Sequence, residues 1–159
     1  MDLENNEFLL FTDCAEKHQF EYIIIGGFAM FLNGLNRATN DVDIWMKPTD
    51  ENGEKLVEVL LCMGYTPEEL EDLRVLDFTE PQVFGINNEL DILTSVHFRF
   101  DFDTCFLNAR ACKNGNDNTL YFLHLNELRD LKVVSQRPQD LRDVIMIDDF
   151  LKLQKNNNQ

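Results

Sequence analysis

Ile23-Ile24-Ile25-Gly26-Gly27-Phe28-Ala29, with Arg37-Ala38-Thr39-Asn40-Asp41-Val42-Asp43 shortly after it, is the stretch whose reading decides the fold of this chain. Tyr22 to Ile25 form a short, β-branched, apolar run ended by two glycines, which reads as a buried strand. Glycine lets the backbone turn sharply and lets a bulky anion come close, and the N-terminus of a following helix offers free N–H groups. The next residues, FAMFLNGL, are helix formers ending at Asn33-Gly34, a stop signal. Asp41 to Met46 begin with polar/apolar alternation and stop at Lys47-Pro48, so a second strand is expected there. On a strand, residues i and i+2 share a face. Asp41 and Asp43 would then stand side by side, with Val42 and Ile44 turned to the core. Two carboxylates that close repel, and one pKa rises unless a cation binds between them.

Outward from this stretch, residues 6–18 carry apolar positions at helical spacing. Thr49 or Asp50 can cap a helix running to about Met63-Gly64, and Pro67 to Arg74 read as a short helix. Gln82 to Ile86 and Glu89 to Leu93 are strand-like, and Asn87-Asn88 between them signals a hairpin. Asp91 is a single carboxylate between apolar neighbours on the second of these strands. If that strand lies beside Asp41-Val42-Asp43, the three aspartates form a cluster suited to two Mg²⁺ ions roughly 3.5–4 Å apart. Residues 102–110 favour helix, Asn114 to Asn118 a turn, and Thr119 to Leu123 a strand. Helices are expected from Asn126 and from Pro138, the last with apolar residues at Leu141, Val144, Ile145, Ile147 and Leu151. Helices interleaved with a mixed sheet place the chain in the α/β (α+β) class. One domain over residues 1–153 and a disordered tail over 154–159 are expected.

The chain has 159 residues, enough for one core, and its 44% hydrophobic and 27% charged residues fit a globular protein. No apolar run approaches the roughly 20 residues of a membrane span. The acidic, polar start MDLENNEF does not read as a secretory signal, so a cytoplasmic protein is expected. The net charge of −15 repels a nucleic-acid backbone and counts against a general nucleic-acid-binding module. Cys14, Cys62, Cys105 and Cys112 show no CxxC or zinc spacing, and free thiols in a reducing cytoplasm are the default expectation. His18, His97 and His124 have no neighbours that mark them as a general base. Trp45 is expected in the core.

The order of strand, Gly-Gly, helix, Arg-x-Thr-x-Asp-x-Asp and a later lone Asp resembles the nucleotidyltransferase superfamily of DNA polymerase β. The resemblance rests on residues 23–29, then Gly34, Arg37, Thr39, Asp41 and Asp43. The chain looks like the small bacterial and archaeal members, and lincosamide nucleotidyltransferases and the nucleotidyltransferase halves of toxin–antitoxin pairs share this pattern. A weaker match continues at Lys132, Arg137, Asp140 and Asp143. The resemblance implies the DNA polymerase β-like fold, with a mixed central sheet flanked by helices. It implies that Gly26 and Gly27 hold a nucleoside triphosphate, with Arg37, Thr39 and Lys132 as further nucleotide contacts. Asp41, Asp43 and Asp91 would bind two Mg²⁺ ions, and Asp91 would help deprotonate an acceptor hydroxyl. A nucleoside monophosphate would pass to that hydroxyl and pyrophosphate would leave. The acceptor is expected to be a small molecule or protein rather than RNA, recognised by residues of about 98–139 or by another subunit, a partner protein or a second copy. The resemblance departs at Phe28, where many members carry serine.

Two alternatives stand beside these readings. Lys132, Arg137, Asp140 and Asp143 also suit an ion-pair network locking the last two helices, since buried charges need partners. The chain as a whole could be a non-catalytic, partner-binding component of toxin–antitoxin type, its nucleotide site degenerate.

Overall fold

A computed structural model describes residues 2–157. In chain order the elements are α1 (Asn6–Lys17), β1 (Tyr22–Ile25), α2 (Gly26–Leu32), β2 (Val42–Met46), α3 (Asp50–Cys62), α4 (Glu71–Arg74), β3 (Val83–Gly85), β4 (Leu90–Leu93), α5 (Phe102–Asn108), β5 (Arg110–Lys113), β6 (Thr119–Phe122), α6 (Leu125–Ser135) and α7 (Pro138–Asn157). The six strands form one mixed sheet in the order β3-β4-β2-β1-β6-β5. The strands β1 and β2 pair antiparallel, while β2 with β4 and β1 with β6 are parallel. Helices flank this sheet, so the chain is of the mixed α+β class.

The central position of β1 follows from its residues. All four of its side chains are buried, as a strand covered on both faces requires. In β2 every position is buried except Asp43, which is half-buried. Four helices start where a side-chain acceptor meets their free N–H groups: Asn5 caps α1, Thr49 caps α3, Asp101 caps α5 and His124 caps α6. The Asn52 side chain donates to the Glu21 and Lys47 carbonyls and accepts from the Glu21 N–H, tying α3 to the strand edges.

Phe28 lies in the core at 1% exposure, edge-on to Phe8 at 5.3 Å and stacked on Phe31. The side chain that replaces the expected serine thus serves packing of α1 on α2. Trp45 is buried as expected, edge-on to Phe102, with its indole N–H donating to the Thr94 carbonyl at 3.3 Å.

Several expectations are corrected. Cys14 and Cys62 form a disulfide across 48 residues, joining α1 to the end of α3, while Cys105 and Cys112 are free thiols. The argument for a reducing compartment therefore fails for this pair. The link arises where two helices pack, which spacing in sequence does not reveal. Only Glu71–Arg74 of the expected 67–74 helix is helical. The strand β5 begins at Arg110, the last residue of the stretch read as helix, and continues over residues 111–113, where no element was expected, and the helix α7 continues through Asn157 where a tail was expected. Residues 158–159 of that tail lie outside the described residues. Among the described residues no helix is long and apolar enough to cross a membrane.

Opening the disulfide restores freedom to the unfolded chain. Cys14→Ser with Cys62→Ser is expected to lower unfolding free energy by about 3 kcal/mol. Denaturant titration of the variant against the oxidised protein measures this, and an unchanged midpoint would remove the disulfide from the account of stability.

Candidate functional site

The site forms where β1 ends in Gly26 and where β2 and β4 run side by side. Their parallel register places Asp43 opposite Asp91, and the antiparallel register of β1 places Ile25 opposite Asp43. Like charges directly opposite on neighbouring strands are unfavourable. Here neither carboxylate has a hydrogen-bond donor or ion-pair partner among the described residues. Burial, followed by the charges of Asp41 and Asp91, raises the Asp43 carboxyl above its ordinary pKa, against a smaller opposing pull from Lys132 and Arg137.

Glycine makes the close approach possible. Gly26 has φ +66°, and a Cβ there would stand 1.9 Å from the Asp43 Oδ2. Gly85, opposite Asp91 in the β3–β4 register, would put a Cβ 3.2 Å from the Asp91 Oδ1. Gly26→Ala is therefore expected to cost about 1–2 kcal/mol for the left-handed backbone alone. It must also turn the Asp43 carboxylate from its place. Chemical denaturation reads the first effect; stability equal to the parent would contradict the geometry.

Asp41 precedes β2, and its carboxylate accepts from the Thr39 hydroxyl at 2.8 Å. Thr39 in turn packs on Gly27, where a Cβ would meet it at 3.2 Å. The three aspartates are neighbours by charge, yet among the described residues no three His, Cys, Asp or Glu side chains are gathered tightly enough to grip a metal as they stand.

A cleft of about 420 Å³ opens over Asp43 and Asp91. Gly26 lies at its floor, and Lys132, Ser135 and Arg137 from the end of α6 and the turn into α7 form one wall. The other wall includes Val96 and His97. Gly27, Arg37, Thr39 and Asp41 lie beside this cleft, off its lining.

The α6–α7 wall is braced by a buried ion network. The Lys132 ammonium, in a residue 6% exposed, donates to Asp143 Oδ2 at 2.7 Å and to Asp140 Oδ1 at 3.2 Å. Asp140 also accepts from the Ser135 hydroxyl and from Arg137 Nε, at 2.8 and 2.7 Å. Asp143 accepts from Gln139 and from Arg37 Nε, the latter at 3.0 Å, which ties α7 back to the loop before β2. Arg37 also donates to the Ala38 carbonyl. Burial raises both carboxyls, but the bonds from these cations and hydroxyls outweigh it, and both pKa values are lowered. The locking network is thus present. Lys132 is spent within it, and Arg37 is an ion-pair partner rather than part of the cleft. Sequence reasoning missed Ser135, Val96 and His97 as cleft residues, and no pattern in their neighbourhood marks them.

The fold and cleft define a mixed α+β protein with a pair of carboxylates, neither hydrogen-bonded nor ion-paired among the described residues, beside a glycine turn. Set against known families and against curated proteins, the chain matches no family model and no curated protein.

Proposed function

We propose that the chain is a metal-dependent nucleotidyltransferase of the DNA polymerase β-like type, transferring a nucleoside monophosphate from an NTP to a hydroxyl and releasing pyrophosphate. One observation carries this reading: Asp43 and Asp91 lie in register on parallel strands, without protein cations bonded to them, under a cleft that begins at Gly26. A protein that only needed a stable sheet has no use for that pairing. The resemblance of the strand–Gly-Gly–helix–Asp-x-Asp order supports the same class.

The donor set fits a hard divalent cation. Asp43 and Asp91 offer oxygen ligands, and Gly26 and Gly85 leave space around them. Asp41 would join them by turning from the Thr39 hydroxyl. Bound there, Mg²⁺ supplies charge neutralisation and alignment for in-line transfer. The chain's own groups do the rest. The turn at Gly26-Gly27 admits phosphates close to the backbone. The cations on the α6–α7 wall offset negative charge in the cleft. By the resemblance, Asp91 is the carboxylate that would take a proton from the acceptor hydroxyl. The same site without turnover would be a partner-binding component, and the exposed Leu141, Ile145 and Leu153 on α7 are what favours that second reading.

The test is release of pyrophosphate from each of ATP, GTP, CTP and UTP with Mg²⁺ and a panel of hydroxyl acceptors. Release that needs the metal and Asp43 supports the enzyme. Nucleotide binding without release from any acceptor moves the reading to the partner-binding component.

A further inference from the structure

A second cavity, of about 350 Å³, lies at the other end of β1 from Gly26 and shares no lining residue with the cleft over Asp43 and Asp91. Two pairs of aromatic rings line it. Phe20 and Tyr22 stack with centroids 5.7 Å apart, and Phe106 and Tyr121 meet at 4.8 Å. Two carboxylates, Glu16 and Glu21, line it as well. Glu21 is paired with Lys47 at 3.5 Å. Glu16 is exposed, and among the described residues its carboxylate makes no hydrogen bond or ion pair.

Tyr22 supplies a polar group inside. It is 8% exposed, yet among the described residues its hydroxyl has no hydrogen-bond partner. A buried tyrosine hydroxyl usually has one. Among the described residues the unpartnered side-chain oxygens sealed from solvent are on Glu89 and Glu127, so the Tyr22 hydroxyl keeps an opening, and the cavity that Tyr22 lines is where it opens. Burial, followed by the charge of Glu16, raises its pKa, so the hydroxyl stays protonated at neutral pH and the Glu16 carboxylate is close by.

We infer that this cavity binds an unbranched aliphatic ammonium ion, its alkyl chain on the rings and its N–H groups shared between the Glu16 carboxylate and the Tyr22 hydroxyl. An ammonium carries three donors and no acceptor, and both oxygens accept. A chain that is apolar along its length and charged at its tip matches aromatic walls that lead to a carboxylate. An anion does not fit, because the nearest cation, Lys47, is already held by Glu21 and Asp103. The net charge of −15 draws cations toward the surface and repels anions. A free amine and a lysine side chain share this chemistry. The site stands apart from the nucleotidyltransferase reading and does not depend on it.

NMR titration with butylammonium, and with butan-1-ol as its neutral counterpart of similar shape, tests the inference. Butylammonium is expected to shift the signals of Glu16, Tyr22 and Tyr121, and butan-1-ol to bind far more weakly. Tyr22→Phe keeps the ring and removes a hydroxyl that makes no bond within the protein, so its melting temperature should match the parent. It is expected to weaken butylammonium about tenfold, as loss of a hydrogen bond to a charged group does. Glu16→Gln, at an exposed position, should weaken it about threefold. Blocked lysine, Nα-acetyl-lysine methylamide, separates the sources: tighter binding of butylammonium assigns the cavity to a free amine, and tighter binding of blocked lysine assigns it to a protein side chain. Equal binding of butan-1-ol, affinity unchanged by Tyr22→Phe, or no shift of these residues at about 10 mM butylammonium overturns the inference. Shifts confined to the other surface carboxylates also overturn it, since they report loose counterions only.

Discussion

Asp43→Asn is expected to reduce nucleotidyl transfer by well over about 100-fold while leaving the protein at least as stable at neutral pH. Loss of groups that merely orient a metal ligand already costs 10–100-fold, and Asp43 would be a ligand itself. The stability side follows from the raised Asp43 pKa, caused first by burial and then by repulsion from Asp41 and Asp91. An acid whose folded pKa lies above its unfolded value destabilises the fold once pH exceeds both. Removing its charge removes that penalty. The penalty in the parent fades as pH falls through the raised pKa, so any gain in the variant should be present near pH 7 and vanish toward pH 4. Activity assays and thermal melts on the same preparation measure both. Loss of activity with a large loss of stability would mean that Asp43 is a structural residue.

The opposite pattern is expected at Lys132. Lys132→Met leaves Asp140 and Asp143 buried without their shared cation, and removing one partner from a buried ion network costs about 3–5 kcal/mol. For a chain of this size that is a fall of about 10 °C in melting temperature. The sign with pH is fixed. Both carboxyls have folded pKa values below the ordinary one, so they contribute stability above the unfolded carboxyl pKa of about 3.9, and this is lost as pH falls through their folded values. Without Lys132 their pKa values rise, so the variant's deficit should be largest at pH 7 and shrink toward pH 4. A deficit that does not change with pH would show that lost packing of the lysine stem, rather than lost charge pairing, is responsible.

Much of the site's frame was legible because it is local. A β-branched run ending in Gly-Gly, a second strand with Asp at alternate positions and a hairpin over Asn87-Asn88 each declare themselves within a few residues. That Asp91 lands beside Asp43 required a conditional step, since sequence does not say which strands neighbour each other, and the β2–β4 register supplies it. The Lys132–Asp140–Asp143 network was readable across a short helical hairpin. The bond from Arg37 to Asp143 crosses 106 residues and was not. The strand β5, Arg-Ala-Cys-Lys, is a largely exposed edge strand with no apolar alternation to show it. The Cys14–Cys62 link depends on helix packing, and the cleft wall at Ser135, Val96 and His97 on loops and helix ends meeting in space.

The central claim is that the paired aspartates form a metal-dependent nucleotide site. Isothermal titration of ATP, GTP, CTP and UTP, with and without Mg²⁺, into wild type and into Asp41→Asn/Asp43→Asn tests it most directly. The account predicts binding of at least one nucleotide that needs Mg²⁺ and is lost in the double variant. No binding of any of the four at millimolar concentration, or binding that the double variant keeps, would contradict it.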